Sequence, residues 1–342
     1  MLCNFIFVIV RKGSSMVIHV VFGGAGFIGS NLIRYLLRES ECSVICIDNF
    51  SRGSVTFVEN FLPYENFYLL EFDITDNAHL SSEMEKYQHL FGEQTVVWHL
   101  AANSDIPAGV SDIQIDFKDT LATTVSILRW MKQNDLGKLC FASSSAIYGD
   151  HGMTELHEDI GGCLPISNYG AMKLASEAAI SAASESFLRQ AIVFRFPNVV
   201  GVPATHGVIY DFLYKVLKTP ECLNVLGNGT QKKLYLHVAD LVDAMIFLQN
   251  NKNLSDKINI SNIGPCDDGI SVREIAEIVA SLFTPKPNIS YGVEDRGWVG
   301  DVPKFRYSTK KLNKLGWKPE LTSAVAINKA AEAIREQILN SK

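Results

Sequence analysis

The chain is sparing with charge, and what it carries is not basic. Charged residues make up 20% of its 342 positions, and 37 Asp and Glu outweigh 31 Lys and Arg to give a formal net charge of −6. A clustered basic footprint for nucleic acid is therefore excluded. Any anionic ligand must rest on backbone N–H groups and a few local cations. Nor is there an apolar segment of membrane-spanning length: Leu2–Val10 (LCNFIFVIV) has nine residues where about 20 are needed. That stretch also lacks the basic start and small-residue cleavage site of a signal peptide. The seven cysteines form no C-x-x-C pair and no Cys/His cluster at zinc spacing. No metal site is expected, and the odd, scattered set reads as reduced thiols of a cytoplasmic protein. What is abundant is apolar. A hydrophobic content of 47% excludes disorder, and the length suggests about two domains around a sizeable core.

Residues 1–15 are expected to stand outside the fold, because strand-like sequence begins only at Met16. Val17–Phe22 reads as a buried parallel strand, and Gly23-Gly24-Ala25-Gly26-Phe27-Ile28-Gly29 follows at once. An amphipathic helix pattern comes next, with Phe27, Leu32, Ile33, Leu36 and Leu37 near one face. Strand, glycine turn and helix in that order make a cradle for a dinucleotide pyrophosphate. Gly23 serves the tight turn, Gly26 lets backbone N–H groups approach the phosphates, and Gly29 lets the helix pack close to the sheet. The spacing is G-x-x-G-x-x-G, so this context carries the argument.

A second apolar run, Ser43–Ile47, ends in Asp48-Asn49. Asp48 stands 19 residues past Gly29, about the interval at which a carboxylate meets the adenosine ribose. A carboxylate there repels a 2′-phosphate, which favours NAD over NADP; Arg52, near enough to face a phosphate, argues the other way. Two further runs, Phe67–Phe72 and Thr95–Leu100, end in Asp73-Ile74 and Ala101-Ala102. Repeated winding of this kind predicts an α/β fold with a doubly wound parallel sheet. Asp73 and Ile74 would sit beside the adenine, with an N-cap role for Asp73 as the alternative. Leu100, Ala101 and Ala102 would also face the cofactor.

Leu139–Ser143 is another strand and ends in Ser143-Ser144-Ser145. Twenty-five residues past Ser144, Tyr169-Gly170-Ala171-Met172-Lys173 opens an alanine-rich helix, so Tyr169 and Lys173 share one helix face. A free tyrosine, with a pKa near 10, is a poor base at pH 7. A neighbouring ammonium and an oxidised nicotinamide both favour the phenolate. The phenolate can take a proton from a substrate hydroxyl as hydride leaves the same carbon, a strand-end serine can relay that proton, and Lys173 can hold the nicotinamide ribose.

These segments extend to DNFSRG (48–53), HLAA (99–102), SSSAIYGD (143–150), RFPNVVG (195–201), THGVIYDF (205–212), LGNGTQKKLYLHVAD (226–240) and RGWVGDVPKF (296–305). Together they resemble the extended short-chain dehydrogenases/reductases of the nucleotide-sugar epimerase group, and within it the UDP-glucose 4-epimerases. The resemblance runs from about Val17 to the C-terminal region. It implies an NAD-binding Rossmann domain over residues 16–194, to which a segment near 235–262 returns, and a smaller mixed α/β substrate domain over 195–342. It implies a tightly held NAD, Ser144 as the catalytic serine (four residues before Tyr148), Tyr169 as base and Lys173 as its electrostatic partner. It places Ser144, Asn198, Val208, Lys233, Arg296 and Asp301 on a nucleoside-diphosphate sugar, with Phe305 setting the sugar pocket. It also implies a homodimer formed through the helix patterns at 110–133 and 169–188, and a terminal helix at 319–342 without chemistry. The chain departs from the group's pattern at Asp119, where an asparagine is usual, and at Val202-Pro203-Ala204. The base is therefore left open between UDP, CDP and GDP.

Relatives that do further chemistry carry further side chains after the serine or threonine: an Asp-Glu pair in 4,6-dehydratases, a Glu in decarboxylases, a Cys in 3,5-epimerase/reductases. Here Ser145 and Ala146 stand there. The resemblance thus implies an NAD-dependent nucleotide-sugar 4-epimerase of the UDP-glucose/UDP-galactose type. The alternatives are a C4 oxidoreductase on another sugar, such as a GDP- or CDP-linked heptose or deoxysugar, and a non-enzymatic NAD-sensing regulator.

Overall fold

The computed structural model describes residues 16–38, 42–294 and 306–340; the expected extension at 1–15 lies outside the described residues. Five apolar runs form strands within one residue of the sequence reading: β1 (Val17–Phe22), β2 (Cys42–Asp48), β3 (Phe67–Glu71), β4 (Val96–His99) and β5 (Lys138–Ala142). Further along come β6 (Glu155–Leu156), β7 (Gln190–Arg195), β8 (Asn198–Val200), β9 (Cys222–Val225), β10 (Lys232–Lys233), β11 (Tyr235–His237) and β12 (Ile258–Asn262). The last short strands are β13 (Ile270–Ser271), β14 (Asn288–Tyr291) and β15 (Arg306–Tyr307), and the short helix α10 (Lys310–Lys314) follows them.

One seven-stranded sheet dominates, in the order β12-β7-β5-β4-β1-β2-β3, and every pairing in it is parallel. Parallel strands are apolar on both sides because helices cover both faces. On one face α1 (Phe27–Leu36) and α8 (Val238–Asn250) bury Leu32, Leu36, Leu241 and Met245 against Trp98 and Phe194. On the other, α2 (Asn77–Glu85), α5 (Thr123–Gln133) and α6 (Asn168–Ser184) bury Leu80, Ile127, Trp130 and Ile180 against Phe22 and Leu139. A third core gathers α7 (Val208–Lys218), α9 (Val272–Ser281) and α11 (Ser323–Asn340) around Phe212, Leu213, Ile275 and Ile327. The two-stranded pairs β8–β11, β9–β14 and β10–β13 complete that mixed α/β region.

Two local readings are corrected. The pattern at 110–133 is not one helix but α3 (Ile106–Ser111), α4 (Ile113–Asp116), a π-type turn over Phe117–Ala122, and α5. The break is at Asp112, which adopts an extended backbone and accepts a bond from the Gln114 N–H at 2.9 Å, starting a new helix. Likewise Asp76, not Asp73, caps α2, accepting from the N–H groups of Ala78 and His79 at 3.1 and 3.0 Å.

Candidate active site

The carboxyl ends of the sheet strands border a cavity of about 640 Å³, a volume typical of ligand sites. The chain winds outward in opposite directions from β1 and β4, and the crevice this opens is where α/β sheets bind ligands. Gly23, Gly26, Phe27, Ile28, Gly29, Asp48, Asn49, Asp73, Ile74, Leu100, Ala101 and Ala102 all line it. Gly29 is required by close approach: a Cβ there would meet the Gly23 oxygen at 2.3 Å and the Gly24 Cα at 2.7 Å. The start of α1 therefore rests directly on the turn backbone, with its free N–H groups at the cavity.

Asp48 closes β2. Its Oδ2 accepts from the Ala25 N–H and its Oδ1 from the Phe50 N–H, both at 2.9 Å. Burial pushes this carboxyl above its usual pKa, and the N–H bonds oppose the shift. The bond to Phe50 also holds that residue at φ 54°, a conformation rare outside glycine. Each carboxylate oxygen keeps a lone pair, so the donor and acceptor set fits a ribose diol beside a glycine-rich phosphate cradle. Arg52 is turned to Asp105, at 3.3 Å. Asp73 accepts from Thr75 and pairs with Lys118 at 2.8 Å.

Ser144 follows β5 with an extended backbone, and its Oγ accepts from the Ala146 N–H at 3.1 Å. α6 starts beside it, capped by Ser167, whose Oγ accepts from the Gly170 N–H at 3.1 Å. Gly170 permits the approach: a Cβ there would meet the Ala146 oxygen at 2.5 Å. This brings Tyr169 and Ser144 to one stretch of the cavity lining, near enough for the serine hydroxyl to favour the phenolate. Burial pushes the phenol up to about 12, Ser144 opposes the shift, and the Asp116 charge adds to it.

Lys173 departs from the sequence reading. It is 1% exposed and does not line the cavity. Its Nζ donates to the Ala142 oxygen at 2.5 Å and stands 5.9 Å from the Tyr169 ring centroid. Burial pushes its pKa down to about 7, with the Glu177 charge opposing. The ammonium expected to lower the phenol is thus itself suppressed, because both groups are desolvated and neither bonds the other.

Asn198, Val208 and Lys233 line the facing wall with His206 and Tyr210. Arg296, Asp301 and Phe305 lie outside the described residues. The sequence reading missed Ile106, Thr123 and Ile334, which also line the cavity. Ile334 belongs to the terminal helix read as having no chemistry. Nothing local distinguishes it from the apolar stripe of Ile327, Ala331 and Ile338. Asp119, noted only as a departure from a pattern, puts a carboxylate in the cavity wall. Burial pushes its pKa up, with Lys118 opposing.

The sequence profile of the NAD dependent epimerase/dehydratase family matches residues 19–264. The chain belongs to that enzyme family, and its cofactor is NAD. A putative UDP-glucose 4-epimerase of Methanocaldococcus jannaschii is 28% identical over 307 residues, covering 88% of this chain and 93% of its own. A UDP-glucuronic acid decarboxylase 1 of Danio rerio is 26% identical, covering 93% of this chain and 73% of its own. A crystal structure of a UDP-galactose 4-epimerase superposes with a TM-score of 0.81 at 33% identity, over 94% of this chain and 100% of that one. The Thermus thermophilus UDP-glucose 4-epimerase in complex with NAD superposes with a TM-score of 0.79 at 26% identity, over 93% and 99%. No helix among the described residues is long and apolar enough to cross a membrane.

Proposed function

We propose that the protein is a nucleotide-sugar 4-epimerase of the UDP-glucose/UDP-galactose type. The observation that carries this reading is that Ser144 and Tyr169 line the cleft together, with Ser145 and Ala146 following the serine in the same lining. Expelling water or carbon dioxide from an oxidised sugar calls for a further acid or base beside the proton relay. Ser145 and Ala146 supply no carboxylate or thiol at those positions, whereas taking hydride from C4 and returning it needs only one proton shuttle.

In this reading the sugar C4 hydroxyl bonds Ser144, and its proton passes to Tyr169. When bound, NAD supplies the hydride acceptor and a cationic ring that favours the phenolate. The phosphate cradle and Asp48 would hold it, and Lys173 beneath Tyr169 would add positive charge when protonated. The 4-keto sugar then turns about its diphosphate and presents the other face of C4, and Tyr169 returns its proton to the C4 oxygen as hydride comes back to that carbon, with no net oxidation. Asn198, Val208 and Lys233 would border the diphosphate and the nucleoside.

The same reading includes a homodimer, supported by Val110, Ile113, Phe117 and Val125, large apolar side chains left exposed from α3 to α5. A cytoplasmic location agrees with the odd, scattered cysteines of the sequence.

The test is proton NMR of purified enzyme with UDP-glucose and no added reductant. Appearance of UDP-galactose is expected. Accumulation of reduced cofactor with a keto product would instead identify a C4 oxidoreductase, and no turnover of any UDP-hexose would defeat the proposal.

A further inference from the structure

Further along the Tyr169–Lys173 face of α6 lies a buried polar network that the reaction outlined above does not use. Glu177 sits one helical turn past Lys173. Its Oε1 accepts from Arg195 Nε at 3.0 Å and its Oε2 from Nη2 at 2.7 Å. Oε1 also accepts from the Oγ of Ser143, the residue before Ser144. Arg195, at the end of β7, donates from Nη1 to the Tyr148 oxygen at 3.0 Å and to the Glu158 carbonyl at 3.1 Å. Tyr148 in turn donates to Asn262, at the end of β12, at 2.7 Å. Ser143, Glu177, Arg195 and Asn262 are all buried.

An ion pair at such depth rarely adds net stability over apolar residues of the same volume, so its geometry is the more informative property. It ties one point on α6 to the ends of three neighbouring strands, and the first of those ends carries Ser144. We propose that Glu177 is a positioning residue: held by Arg195, it fixes α6 against the end of β5 and so sets Tyr169 and Lys173 over Ser144. This rests on the roles given above to Ser144, Tyr169 and Lys173.

Charge follows position. Lys173 is faced by Glu177 and Tyr169 on its own helix and by His99 of β4, which burial keeps neutral. Glu177 is faced by Arg195 of β7, and Cys163 and Tyr307 also lie within its field. Tyr148 and the Glu158 carboxylate act on the Arg195 end of the network. The Glu177 carboxylate favours the ammonium form of Lys173. Without the carboxylate, burial alone acts on that ammonium and disfavours it.

Glu177→Gln keeps the volume and an acceptor for Arg195 and Ser143. In the NAD-loaded enzyme kcat should fall about 10- to 100-fold, the cost of small misplacements at a reacting centre, with KM and bound NAD unchanged. The alkaline limb of the kcat profile should move to lower pH, and Glu177→Asp should recover part of the loss. Lysine-selective carbon NMR, with the Lys173 signal assigned by its loss in Lys173→Met, should show Lys173 titrating at lower pH in the variant. That titration needs no turnover, so a wild-type enzyme inert toward all sugar nucleotides would refute the functional reading and still leave the network testable. Wild-type kcat together with a wild-type Lys173 titration would overturn the proposal. Should Glu177→Gln not fold, Ser143→Ala decides. It spares the ion pair and removes the tie to β5; kcat should fall about 3- to 10-fold, as for one lost hydrogen bond, and an unchanged kcat would overturn the proposal.

Discussion

The Nζ of Lys173 donates to the carbonyl oxygen of Ala142 at 2.5 Å, not to the phenol of Tyr169 on the same helix face. An amine held this way lies among apolar groups, with the Phe141 ring centroid at 4.7 Å, and its charge is expensive.

The cost appears as a pH dependence of stability. Burial holds the folded Lys173 at about 7 against 10.5 for the free side chain. As pH rises, the folded chain therefore releases this proton before the unfolded chain does, and stability grows with pH through that window. Lys173→Met should raise the thermal midpoint of cofactor-free protein most below about pH 7, and the gain should shrink toward about pH 10. Calorimetry of both proteins across that range checks it. A gain independent of pH would mean that the folded protein keeps Lys173 charged.

In the proposed mechanism, Tyr169→Phe removes the group that takes the sugar proton. Turnover should fall about 10²- to 10⁴-fold, the usual contribution of a positioned acid or base, with NAD retained. Steady-state rates paired with cofactor content separate lost chemistry from lost cofactor. A variant that keeps its rate would remove Tyr169 from the mechanism.

Asp48→Ala should weaken NAD by at least tenfold or so, since each bond to a carboxylate is worth about 1.5–3 kcal/mol. It should also lessen discrimination against NADP. The loss exceeds that of the ribose contacts, because the N–H groups of Ala25 and Phe50 lose their acceptor. Titration calorimetry with each dinucleotide gives the two affinities.

The glycines of the cradle should separate by phenotype. In Gly29→Ala the added methyl would meet backbone at 2.3 Å, which must push α1 off the turn. About 1–3 kcal/mol of stability should go, as in overpacked cores, and cofactor affinity with it. In Gly26→Ala the nearest atom is 3.3 Å away, so stability should hold while NAD binding falls. Denaturant midpoints and bound NAD, measured on both variants, test the contrast.

Much of this was legible in the sequence because parallel strands are apolar throughout and end abruptly in glycine, aspartate or serine. Those ends are the cleft, so reading the strands also located Gly23, Asp48, Ala101 and Ser144. Helical spacing was less informative. It gives the face on which Lys173 lies but not its depth, and depth decides that the amine turns to Ala142. Apolar periodicity also ran straight through the break at Asp112 and the π-type turn after it, because apolar residues continue on both sides. Asp105, Pro107 and Asp112 are the helix-start signals that mark the interruption. Ile334 had no local signature at all, since its place in the wall depends on a helix arriving from the other end of the chain.

That arrival has a consequence for assembly. Gln337, on the same helix as Ile334, exchanges two bonds with the backbone of Ala204, at 2.8 and 2.7 Å, and Ala204 is itself part of the cavity lining. The cleft is therefore built from Gly23, near the first described strand, and from Ile334, in the last helix. During synthesis the phosphate cradle emerges from the ribosome some 300 residues before Ile334, the last contribution to the cavity lining. A nascent chain that stops short of Ser323 has the cradle and the residues of the facing wall but not Ile334 or the Gln337 bonds to Ala204, and the lining is complete only once the helix of Ile334 docks.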